Sequence, residues 1–115
     1  MKYLCLVYIG PGALDRLSPE ERTLLDQQSR EYDEKLMSDG AFLAASALQS
    51  TRTARTLRVR QGRKSVIDGP FAETKEVLVG FIFVEAPDMD AAEAIAERIP
   101  MARYGTIEVR PEMVF

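Results

Sequence analysis

The chain has 115 residues, of which 46% are hydrophobic and 29% charged, with a net charge of -3. That is enough apolar material for one cored domain, 1–115, and too acidic a balance for a general nucleic-acid or membrane-surface binder. Histidine is absent and Cys5 is the single cysteine, which removes Ser-His-Asp and Cys-His catalysis, imidazole metal sites and an internal disulfide. Any proton transfer must use Asp, Glu, Tyr, Lys or Cys.

Lys2 to Tyr8, KYLCLVY, reads as a strand with Tyr3, Cys5 and Val7 on one face and Leu4, Leu6 and Tyr8 on the other. Both faces are apolar, so both need cover. The segment is short, alternates like a strand and lacks a small-residue cleavage site, so it is not read as a signal peptide. No apolar run approaches the ~20 residues of a spanning helix. A cytoplasmic setting is expected.

The run from Ser18 to Gly40 predicts a helix. Ser18 is the N-cap, Pro19 the first helical residue, Glu21 the capping-box partner and Gly40 the left-handed stop. Leu25, Ser29, Tyr32 and Leu36 share its inward stripe, with Asp26, Glu31, Asp33 and Glu34 mostly off it. Ala41 to Leu48 predicts a short strand. Ala54 to Asp68 predicts a hairpin that turns at Gln61-Gly62. Val77 to Ala86 is the most apolar strand, again on both faces. Asp88 caps a second helix with the stripe Ala92, Ile95, Ala96 and Ile99, which Pro100 ends. A last strand has Ile107 and Val109 inward.

With the hairpin set aside as an insertion the order is βαββαβ, a ferredoxin-like α+β subunit. Two helices cover one face of such a sheet. The second face is expected to be covered by the same sheet of a second copy, which predicts a homodimer.

The stretch DGPFAETKE, residues 68 to 76, resembles the signature of the YCII-related or DGPF-domain family. MKYLCLVY, LSPEE and YGTIEVRP fall in the matching order, so the resemblance spans nearly the whole chain. It implies a subunit that pairs sheet to sheet as a dimeric α+β barrel. Similar barrels include muconolactone-isomerase-like and monooxygenase-like enzymes, and some DGPF-domain proteins are associated with extracytoplasmic-function sigma factors. A histidine-aspartate pair proposed as catalytic in some relatives has no counterpart here.

Two functions are weighed. One is a cofactor-free enzyme on a small organic molecule in a pocket near this loop. Asp68 would be its base, Glu73 a second acid-base group, and Tyr32, Phe71 and Lys75 ligand contacts. The other is a non-catalytic ligand-binding or regulatory module with a transcription-regulator partner. Turn chemistry alone accounts for Asp68, Gly69 and Pro70, with Phe71 expected to plug the core. Arg52, Arg55, Arg58, Arg60, Arg63 and Lys64 lie in or beside the hairpin. Without these six the chain has nine basic and eighteen acidic residues, or -9. A solvated strand face explains this better than a nucleic acid, a phosphate or an acidic partner does, and no aromatic RNA-binding motif accompanies it. Cys5 is expected to be buried and inert. No metal-ligand or phosphate-loop pattern is present, and no cofactor is expected.

Overall fold

The computed structural model describes residues Met1–Phe115. Strands β1 (Lys2–Ile9), β2 (Phe42–Ala47), β5 (Val77–Glu85) and β6 (Thr106–Pro111) form one antiparallel sheet in the order β2-β5-β1-β6. Helices α1 (Pro19–Ser38) and α2 (Met89–Ala96) complete the βαββαβ frame, and β3 (Arg55–Arg60) and β4 (Arg63–Asp68) make a separate two-stranded ribbon between β2 and β5. This is the expected ferredoxin-like order with its inserted hairpin.

α1 starts where its capping residues dictate. The Ser18 hydroxyl accepts from the Glu21 N–H at 3.1 Å, and the Glu21 carboxylate accepts from the Ser18 N–H at 3.1 Å. At the far end Gly40 has φ +74°. Its N–H reaches the Met37 carbonyl while the Ala41 N–H reaches Leu36, which closes a Schellman turn. Asp88 caps α2 through the Ala91 N–H at 2.8 Å. This helix ends at Ala96, earlier than its apolar stripe suggests. Ile99, extended as residues before proline prefer, leads into a 3-10 turn over Pro100–Arg103.

Tyr3, Cys5, Ile82 and Val84 of the central strands pack with Leu36 of α1 and with Ala92 and Ala96 of α2 in one core. Both helices therefore cover the same face. Alternation and register put Leu4, Leu6, Tyr8, Phe81 and Phe83 on the opposite face, where they are half-buried. The molecule measures 46 × 44 × 19 Å, with a radius of gyration of 16.2 Å. A compact chain of this length is expected near ~13 Å, so this one is a thin plate with a projecting arm.

Candidate functional site

A cavity of about 460 Å³ lies between α1 and the β2-β5 side of the sheet. It exists because small residues face one another there. Ser29 interrupts the large side chains of the α1 stripe, and Ala45, Ala47 and Gly80 form the floor beneath it. Val7, Ile82 and Leu25 make apolar walls, and Ile99, Pro100 and Met101 close one end. Such a volume, mostly apolar with a few polar groups, suits a small organic ligand.

All of the polar groups but Ser46 come from one helix. Arg22, Asp26, Ser29 and Asp33 recur at steps of four, three and four, so they share a side of α1, and all four line the cavity with Tyr32. Asp33 is half-buried, and burial pushes its carboxyl above the ordinary aspartate value. The Tyr32 hydroxyl donates to the Ile95 carbonyl at 2.7 Å. Burial raises its pKa, a shift that the Arg98 charge opposes. Tyr32 therefore stays protonated at neutral pH, ties α1 to α2, and keeps oxygen lone pairs free to accept.

Of the five residues given a catalytic or ligand role from sequence, Tyr32 alone lines this cavity; Asp68, Phe71, Glu73 and Lys75 do not. The Asp68 side chain is 93% exposed, with a carboxylate oxygen 3.7 Å from Arg55 Nε across the ribbon. Next to it, Gly69 at φ +97° donates its N–H to the Ala54 carbonyl at 2.8 Å. The Gly69 carbonyl accepts the Thr56 hydroxyl, also at 2.8 Å. These bonds fasten the root of the arm, in a conformation that a β-carbon disfavours. Phe71 is 74% exposed, which corrects the expectation that it plugs the core. It lies in the loop between β4 and β5, outside the core cluster. Glu73 and Lys75 are exposed. Glu76 accepts from the Thr106 hydroxyl at 3.3 Å and so ties the end of the loop to β6.

Cys5 is fully buried, and desolvation pushes its thiol up to about 11. No three His, Cys, Asp or Glu side chains converge as metal ligands.

The profile of the YCII-related domain matches residues 1–115. The chain belongs to the YCII-related family. An uncharacterised protein of Rhizobium meliloti (strain 1021) is 34% identical to it over 113 residues, which cover 96% of this chain and 91% of the relative. Among solved structures it resembles the 5-chloro-2-hydroxyhydroquinone dehydrochlorinase of Burkholderia phenoliruptrix AC1100, in complex with 2,5-dihydroxybenzoquinone. The TM-score is 0.57 at 17% identity, with 98% of this chain and 94% of that one covered. This likeness supports the mixed α/β fold of the YCII-related chain. At that identity the chemistry does not transfer with the fold.

Proposed function

We propose that this YCII-related protein binds a small, flat, oxygen-bearing organic molecule between α1 and the sheet and moves a proton on it without a cofactor. The observation that carries the reading is Asp33, a half-buried carboxyl with a raised pKa in a cavity whose walls are mostly apolar. A carboxyl held in this way exchanges a proton closer to neutral pH than an exposed one. Arg22 supplies a positive charge for an anionic oxygen, and Ser29 a hydroxyl that both donates and accepts. Tyr32 fixes the wall and offers an acceptor. The Asp68 loop, on this reading, anchors the arm rather than the ligand.

The fold neighbour holds a dihydroxybenzoquinone, which makes hydroxylated quinones and small aromatic acids the first compounds to try. A thermal-shift screen of the protein against that panel tests the proposal. A ligand at ~100 times its dissociation constant adds about 2.7 kcal/mol of stability. The expected result is a hit whose effect survives Asp68→Asn and falls at least tenfold in affinity in Asp33→Asn. A hit indifferent to Asp33 and lost with Asp68 would return the site to the DGPF loop.

We also propose that two copies pair through the apolar sheet face bearing Leu4, Leu6, Tyr8, Phe81 and Phe83. Both helices cover the other face of the sheet, so this face has no cover within the subunit. Sedimentation velocity at micromolar concentration reads the state, and a monomer there contradicts the pairing.

A further inference from the structure

The β3-β4 arm has two unlike faces. The register pairs Leu57 with Val66, Val59 with Lys64 and Arg58 with Ser65, and residues two apart in a strand share a side. One face therefore carries Leu57, Val59 and Val66, with Lys64 beside Val59 and Arg55 and Asp68 at the root. The other carries Arg58, Arg60 and Arg63, with Ser65 and Ile67. Leu57, Val59 and Val66 are 57%, 56% and 46% exposed. The two strands make their principal contacts with each other and not with the rest of the subunit. An isolated two-stranded hairpin is marginal in water, so the apolar side needs a surface to rest on.

We infer that this arm is an embracing element whose Leu57-Val59-Val66 face seats on a second copy of the same chain. The inference rests on the sheet-to-sheet pairing proposed above. Two observations choose this occupant. The arm continues from β2 and returns into β5, the strands beside the open apolar face, so a partner on that face lies within its reach. The charges also match. Apart from the six basic residues in and beside the arm, each copy is net -9. Arg55 and Lys64, which share the side of the apolar patch, meet an acidic neighbour there.

The test joins sedimentation with amide hydrogen exchange on wild type and the double variant Leu57→Glu/Val59→Glu. Leu57→Ile/Val59→Ile serves as the conservative control. The substituted residues lie off the core, so circular dichroism of the helices and sheet is expected to be unchanged. The expected result is a wild-type dimer whose β3-β4 amides are protected and lose protection on dilution to monomer. The glutamate variant is expected to dissociate at least tenfold more readily, and the isoleucine variant like wild type. A wild-type monomer overturns the pairing and the arm together. A dimer whose arm exchanges freely, or whose affinity ignores the glutamates, overturns the arm alone. Protection that persists in the monomer places the arm on its own subunit and also overturns it.

Discussion

Asp33 costs the fold something at neutral pH. Because burial raises its carboxyl, the folded chain keeps that proton to a higher pH than the unfolded chain does. The folded state therefore binds more protons across the window between the ordinary and the raised value, and stability falls as pH rises through it. Asp33→Asn removes the penalty. Thermal melts are expected to show the variant gaining on wild type at ~pH 7, with the gain gone by about pH 3, below both values. A gain independent of pH would assign the effect to shape rather than charge. A residue that weakens the fold where it lines a cavity fits a functional role, since activity commonly costs stability. At this scale the sequence was partly legible. Tyr32 and Ser29 stood out on the apolar stripe, and Cys5 read correctly as a buried strand residue. Asp26 and Asp33 were set aside as mostly off that stripe. The missed signal was the neighbouring row Arg22, Asp26, Ser29 and Asp33, which becomes an inner wall only because Ala45, Ala47 and Gly80 leave room below. That room is a tertiary property of residues far apart in the chain.

Elements with local punctuation were the most legible. The capping box, the Gly40 stop, the Asp88 cap and the Gln61-Gly62 turn are each decided within a few residues, and each stands in the structure. The contribution of the α1 cap can be measured. Ser18→Ala leaves the Glu21 N–H without its side-chain acceptor and is expected to cost about 1 kcal/mol in urea unfolding, with an unchanged m-value. No loss would mean that water replaces the cap fully. α2 was less legible, because Ile99 continues the apolar stripe past the helix end. Its backbone is extended ahead of Pro100, and its side chain still reaches the core. The arm was legible as a hairpin. Its detachment from the rest of the subunit was not, because alternating Leu, Arg and Val describe a half-buried strand whether the cover is one's own core or another chain.

The whole molecule is a plate with one finished side. Two strands apolar on both faces announced this in sequence, and the structure places both helices on a single face. Phe71 sits in the loop between β4 and β5 and stays 74% exposed, outside the core. In the DGPF stretch charge and a rigid turn coincide, as at a site rim, yet turn chemistry alone accounts for Asp68, Gly69 and Pro70. The bonds of Gly69 to Ala54 and Thr56 show what the turn does within the subunit, which is to hold the arm to the plate.

The central claim is that the ligand site is the α1-sheet cavity. Amide chemical-shift mapping of the isotope-labelled protein against the quinone and aromatic-acid panel tests it most directly. The account predicts saturable shifts grouped at Arg22 to Asp33, Ala45 to Leu48 and Val79 to Ile82, the segments that line the cavity. Shifts centred instead on Gly69 to Glu76, or no saturable shift with any member of the panel, would contradict it.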